Sequence, residues 1–356
     1  MSIQATAAEE AASCRTSIPW SWYVDPESYE LEKSAILHRS WHYVGHVAQL
    51  EEEGAFITAE IAGRLILIVR GGGELRAFAN VCRHRGAELI GDREGCRKAL
   101  TCRYHAWSWN VDGTLRAAPS TAGIPDADWP LLPLPLATWG PLVFASPGDE
   151  VVPFDEAVGD LRKIVLEQYP DFEQFRHHAQ LRYSVDANWK VFIDNFNECY
   201  HCPVAHQTTF ARVVDTGSSY TTRTDWPYSS VQTGVLRDNS DQIALFGYLW
   251  PTFGFAVSSV RGAFTAITAH PTGPETCDVT YDFFFGPDSD EATRQRAMEF
   301  TEIVNAEDLE LYRFTQLGLR SGALADGPLV MARESGVAHF QDLVRQFRRR
   351  AASSGI

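Results

Sequence analysis

Between residues 42 and 146 the apolar positions come in short runs separated by tight-turn residues, a pattern of strands rather than helices. Residues 64–70 (RLILIVR) form one β-rich run, Gly71, Gly72 and Gly73 a turn, and residues 75–81 the return strand. Residues 107–111 and 114–116 flank Asp112-Gly113, a dipeptide that strongly favours a hairpin. Short strands at this spacing predict a small antiparallel β-domain. Pro130, Pro133 and Pro135 punctuate its exit, with a boundary near residue 150. Beyond it the period changes. Residues 157–168, 194–200 and 291–318 follow a helical repeat, whereas 248–259 and 279–285 read as extended. The fold class is therefore α+β, with helices beside an antiparallel sheet in the second unit.

Length and composition narrow the class of protein. At 356 residues, two packed units are expected. A formal charge of −15 argues against nucleic acid and anionic membrane as partners. The longest local apolar run, residues 65–69, is far short of a membrane span. Residues 1–12 carry neither a basic nor an apolar signal-peptide region and read as a cytoplasmic start. Seven cysteines, an odd number spread thinly, point to a reducing compartment and to metal binding rather than a disulfide framework.

Two constellations carry chemistry. In the β-region stand Cys82-Arg83-His84 and, after seventeen intervening residues, Cys102-Arg103-Tyr104-His105. Each follows a strand-like run, so two hairpin tips clamp one metal centre. Two thiolates with two imidazoles suit zinc or an iron–sulfur group. Zinc sites usually pair Cys with Cys and His with His in sequence. A Rieske cluster takes two cysteines on one iron and two histidines on the other, which asks each hairpin for one of each.

The second lies in residues 188–206 (NWKVFIDNFNECYHCPVAH). On a helix, Trp189, Phe192, Ile193, Phe196 and Tyr200 form an apolar stripe, and Asp194, Glu198 and His201 stack on the other face. His206 follows His201 by five positions, and Pro203 between them demands a break that turns both imidazoles inward. Two histidines and a carboxylate make the facial triad of O₂-activating iron enzymes; two hydrogen-bonded core histidines are the plainer reading. Cys199 and Cys202 enclose His201 and are expected to be small packing residues rather than a redox dithiol or half a zinc site. Spacing does not choose the carboxylate among Glu302, Glu307, Asp308 and Glu310.

Residues 80–87 (NVCRHRGA), residues 102–107 (CRYHAW), the pattern Glu198-x-x-His201-x₄-His206 and residues 307–311 (EDLEL) together resemble the Rieske non-haem iron oxygenases, the ring-hydroxylating α-subunits. The resemblance implies a Rieske [2Fe–2S] antiparallel β domain over 42–150 and a helix-grip catalytic domain over 151–356, with 1–41 an arm and helix packing on the latter. It implies that Cys82, His84, Cys102 and His105 hold the cluster and that His201, His206 and Asp308 hold Fe(II). Glu198 would bridge to His84 or His105 of a neighbouring subunit in a homotrimer, with Asp194 a supporting acid and Asn195 hydrogen-bonding within the site. The sequence offers no dinucleotide loop, so a separate NAD(P)H-dependent flavin and iron–sulfur reductase would supply electrons, with O₂ and a small molecule as substrates.

The run Cys199-Tyr-His-Cys-Pro203 with Glu198 looks like the betaine, carnitine and choline branch, implying N-demethylation or hydroxylation of a quaternary ammonium compound. Trp226, Tyr228, Trp250, Phe253 and Phe255 are candidates for a cation cage. The alternatives are hydroxylation of an aromatic or natural-product ring, a Rieske electron carrier needing only residues 42–150, and a structural zinc protein.

Overall fold

The computed structural model describes residues 14–119, 129–258 and 262–354. Residues 1–12, read above as a cytoplasmic start, lie outside them. The chain divides into two compact units, Leu37–Phe154 and a second formed by Met1–Ile36 with Asp155–Ile356.

In Leu37–Phe154 a five-stranded sheet runs in the order Pro133–Leu134, Glu74–Ala79, Arg64–Gly71, Ala55–Ile61, Glu94–Cys96, every pair antiparallel. The run predicted as residues 64–70 is its central strand. Alternation sends Leu67 and Val69 into one core with Phe56, Phe78 and Trp109, and Ile66 and Ile68 into another with Ile57 and Val143. Two buried faces explain why this strand reads as a continuous apolar run. Gly71 pairs with Glu74, leaving Gly72 and Gly73 as a two-residue turn with φ of 67° and 80°. Such a turn needs positive φ at both positions, which glycine supplies without steric cost. The Asp112-Gly113 turn likewise joins Ser108–Trp109 to Leu115–Ala117.

The second unit is built on a seven-stranded antiparallel sheet, from Arg176–Val185 at one edge through Thr276–Phe285, Ala263–Gly273, Phe253–Ser258, Asn239–Leu249 and Ser229–Leu236 to Thr221–Trp226. Residues 248–259 are thus two strands divided at Pro251, and Ser259 lies outside the described residues. Residues 157–168 are two helices, Phe154–Val158 and Leu161–Gln168, interrupted at Gly159. The long helix Glu291–Arg320 starts where Asp290 caps Thr293 N, and Met331–Ser354 follows it. Residues 14–36 belong here: Cys14–Thr16 pairs with Pro328–Val330, and Ile18 N donates to Gln341 Oε1 at 2.8 Å. Among the described residues no helix is long and apolar enough to cross a membrane.

Candidate metal centres

The two cysteine–histidine loops are copies of one backbone turn. Cys82 N donates to Ala87 O at 2.7 Å and Gly86 N to Cys82 O at 3.0 Å; Cys102 N donates to Trp107 O at 2.8 Å and Ala106 N to Cys102 O at 3.1 Å. The fifth residue of each turn has positive φ, 70° at Gly86 and 59° at Ala106. Both thiols are buried while His84 and His105 are exposed, their ring centroids 4.8 Å apart. Trp107 stacks on His84 at 5.0 Å. Burial and the neighbouring Cys102 sulfur push the Cys82 thiol up, against a donated His84 N–H. A centre that deprotonates both sulfurs removes that conflict. Buried sulfurs on one side and outward imidazoles on the other fit a two-iron cluster with a cysteine end and a histidine end. Cys96 is an exposed free thiol, away from these loops in the edge strand Glu94–Cys96.

The second constellation departs from the continuous helix expected. Asn188 caps Lys190 N at 2.9 Å and starts the helix Trp189–Phe196. It stops at Asn197, whose N–H is shared among the last carbonyls and whose side chain donates to Ile193 O. Residues 197–200 therefore do not continue the helical stripe, and Tyr200, expected on it, is exposed. Pro203, expected to break a helix, instead lies in the first turn of a new one, Cys202–Ala205. His201 and His206 are its two caps. Four helical residues, rather than a break at Pro203, thus bring the imidazoles together, with centroids 5.2 Å apart.

Asp308 completes the group. Potential ligand atoms of His201, His206 and Asp308 lie within 4.8 Å of one another. Asp308 Oδ1 is 3.7 Å from His201 Nε2 and 3.2 Å from His206 Nε2. On the long helix Glu302 and Glu310 are exposed, whereas Glu307 and Asp308 turn inward. Glu307 has its own role: its Oε2 accepts from His206 Nδ1 and Thr209 Oγ1, each at 2.6 Å. Glu198 does the same for the other imidazole, with His201 Nδ1 at 2.5 Å from Oε1, while its Oε2 accepts from Tyr200 N and His201 N. A carboxylate on each Nδ1 fixes a proton there and leaves the Nε2 lone pairs directed at Asp308, the state a metal requires. Burial pulls His206 down, but Asp308 and Glu307 outweigh it and the imidazole is raised. The donor set fits a divalent iron.

Asn195 joins this group: its Nδ2 donates to Asp308 Oδ1 at 3.4 Å and its Oδ1 accepts from Tyr312 OH at 3.3 Å. Asp194 faces elsewhere, because the helix ends before a four-residue spacing can stack it with Glu198. It accepts from Tyr23 OH at 2.5 Å and from Gln341 Nε2 at 3.1 Å. Burial raises its carboxyl to about 7 despite those donors. Beside it Lys190, fully buried, donates to Glu32 Oε2 at 2.8 Å, and Arg348 donates to Glu32 Oε1. These charges stiffen the base of the ligand helix and do not touch the triad.

A cavity of about 200 Å³ opens on the triad. Phe192, Phe210, Tyr220, Phe246, Phe300 and Tyr312 line it, together with Glu198 and Asp308, and among the described residues no Lys or Arg does. The five cage candidates lie elsewhere. Trp226 donates to Asp160; Tyr228 and Trp250 pack on Phe347; Phe253 and Phe255 are buried in the sheet core. Helical and strand spacing gives no sign of which aromatics face a cavity walled by several strands of the sheet and by separate helices. Cys199 and Cys202 also line it, and they are joined as a disulfide, where the sequence reading expected packing thiols.

The Rieske [2Fe-2S] domain profile matches residues 40–132, and the profile of the ring hydroxylating alpha subunit (catalytic domain) matches residues 172–349. The carnitine monooxygenase oxygenase subunit of Escherichia coli (strain K12) is 30% identical over 348 residues, covering 93% of each chain. The chain belongs to the Rieske ring-hydroxylating oxygenases. Chloroplastic choline monooxygenase of Arabidopsis thaliana is 30% identical over 349 residues, 92% of this chain and 81% of its own. A solved quaternary ammonium Rieske monooxygenase, CntA, described for carnitine oxidation and inter-subunit electron transfer, superposes with a TM-score of 0.83 at 28% identity, covering 94% of this chain and 96% of its own. This Rieske oxygenase is thus an iron-dependent oxidoreductase, with a [2Fe–2S] cluster and a mononuclear iron as cofactors. It works with a separate reductase, O₂ and an organic substrate. Zinc and the simple electron carrier are set aside, since the catalytic unit is present.

Proposed function

We propose that this oxygenase N-demethylates or hydroxylates a quaternary ammonium compound. The observation that carries the reading is the cavity: aromatic faces with Glu198 and Asp308 and, among the described residues, no Lys or Arg. Three carboxylates, Glu198, Glu307 and Asp308, surround a site for one divalent metal, so the field at the cavity wall favours a cation. Ring faces bind such cations through cation–π attraction. At about 200 Å³ the cavity lies below the usual ligand-pocket range of roughly 300–1,000 Å³, which restricts the substrate to a small molecule. The relatives acting on carnitine and choline support the same class.

In this reading Cys82, His84, Cys102 and His105 hold the cluster, and His201, His206 and Asp308 hold the iron. When bound, the two centres supply electron delivery and O₂ activation. Glu198 and Glu307 keep the two Nδ1 protons in place, and Asn195 orients Asp308. The aromatic walls exclude water and seat the ammonium group. Glu198, hydrogen-bonded to His201, bridges to a cluster histidine of a neighbouring subunit in a homotrimer. Asp194 acts only as a supporting acid beneath the ligand helix. The reductase is a flavin and iron–sulfur protein, and the enzyme is cytoplasmic. NADH-dependent O₂ uptake with carnitine, choline and betaine, scored by formaldehyde release, tests the class. Uptake with aromatic acids and none with any quaternary amine would retire it in favour of ring hydroxylation.

A further inference from the structure

The segment Glu198–Cys202 holds the first iron ligand inside a ring closed by side chains. Cys199 and Cys202 are bonded, with Cα atoms 5.0 Å apart, and His201 lies between them. Among the described residues this is the one bonded pair; Cys96 and Cys277 are free, and Cys82 and Cys102 serve the cluster. Cys202 Sγ is 3.8 Å from His201 Nε2, the nitrogen that faces Asp308. The backbone of the pair reaches both ligands' surroundings: Cys202 O accepts from His206 N at 3.0 Å, and Cys199 O accepts from Arg333, which also donates to Thr216 O. Both residues line the cavity that opens on the triad, although the outer surface hides them. The cavity is the route by which a small redox agent would reach them.

We propose that Cys199 and Cys202 are a thiol–disulfide switch that sets how firmly the triad holds its iron. The proposal rests on the reading of His201, His206 and Asp308 as the iron site. In the bonded form the ring limits the backbone freedom of Tyr200 and His201, so the imidazole stays against Glu198. Reduction opens the ring. A dithiol passes an electron pair to the S–S bond, which breaks; two protons end on the cysteine sulfurs and the dithiol becomes a disulfide. In reverse, the two thiols give up an electron pair and two protons to hydrogen peroxide, which leaves as two waters while the S–S bond forms. Disulfides in reducing compartments are mostly of this transient, regulatory kind. A thiol poised beside an O₂-activating centre is placed to report uncoupled turnover.

The test uses holoenzyme purified without thiols and kept anaerobic, with one half treated with a water-soluble trialkylphosphine. Alkylation and peptide mass spectrometry read Cys199 and Cys202, and a ferrous chelator reads release of mononuclear iron. Expected are unlabelled cysteines before treatment, labelled ones after it, and iron release faster by about tenfold, the usual scale for losing support around a ligand. The cluster's visible spectrum should not change. The variant C199S/C202S should release iron at the fast rate with or without phosphine; the wild-type comparison stands without it. Equal release from both states after confirmed reduction, or full labelling before it, overturns the switch. Absence of any non-cluster iron in either state overturns the triad reading, and the switch with it.

Discussion

In the Rieske unit both ligand pairs ride on one backbone turn used twice, each turn closed by its own two main-chain hydrogen bonds. In the catalytic unit the ligands come from a four-residue helix and from a second helix about a hundred residues later, and each imidazole is steadied by a separate carboxylate. The first centre is rigid because its loops are short and locally bonded. The second depends on groups that must be buried, charged and correctly protonated at once. Local closure protects a centre from distant substitutions; assembly from afar lets substrate, redox state and proton balance reach it.

Removing one ligand from each centre gives the largest contrast. Asp308→Ala should abolish turnover and mononuclear iron while leaving the [2Fe–2S] absorption intact, and Cys102→Ser should do the reverse to the spectrum. Iron analysis and visible spectra check both, and an Asp308→Ala protein with full mononuclear iron would contradict the assembled triad.

Next comes the proton held by Asp194. Folded, it keeps its proton up to about pH 7, whereas the unfolded side chain loses it near the ordinary value of about 3.9. Between those values the folded state binds the extra proton, so this residue's share of stability falls as pH rises and is level above the window. The loss is on the order of 4 kcal/mol, at about 1.4 kcal/mol per pH unit. Denaturant titrations from pH 4 to 8 should show that slope in wild type and a flatter one in Asp194→Asn; an unchanged slope would mean that other groups carry it.

Smaller effects follow. Glu307→Gln leaves His206 Nδ1 without its carboxylate and should weaken mononuclear iron binding by about 10–100-fold with the cluster untouched. Unaltered affinity would show that burial alone orients His206. At the local centre, Ala106 holds a positive φ that its counterpart Gly86 holds without penalty. Ala106→Gly should therefore stabilise the Rieske unit by roughly 1 kcal/mol, within the range for relieving a left-handed residue. A lower unfolding midpoint would show that loop entropy outweighs the strain.

The same contrast decides what was legible in the chain. Cys82, His84, Cys102 and His105 were readable because each loop carries one Cys and one His within three or four residues. The sheet strand at residues 64–70 and the long helix were readable from period alone. His201 and His206 were found, but through a helix that ends at Phe196, since an apolar stripe does not announce where Asn197 turns the chain. Asp308 came from resemblance; the inward turn of residues 307 and 308 depends on the helix's rotation against the sheet. Glu307 as a partner of His206 was missed, although an acid beside a ligand acid was the available clue. Cavity-lining Tyr220, Phe246 and Phe300 carry no local signal, because facing the triad is a property of the assembled sheet and helix.

The pairing of Cys14–Thr16 with Pro328–Val330 and the bond from Ile18 N to Gln341 have a consequence for how the molecule is made. During synthesis, residues 14–36 emerge first yet must wait for a strand more than three hundred residues downstream. Leu37–Phe154, continuous in sequence, has no such wait and is complete long before it. All of Leu37–Phe154 is thus synthesised while the catalytic unit still lacks the helix Met331–Ser354 that packs on its start. The four residues read as cluster ligands are likewise all synthesised before His201, His206 and Asp308.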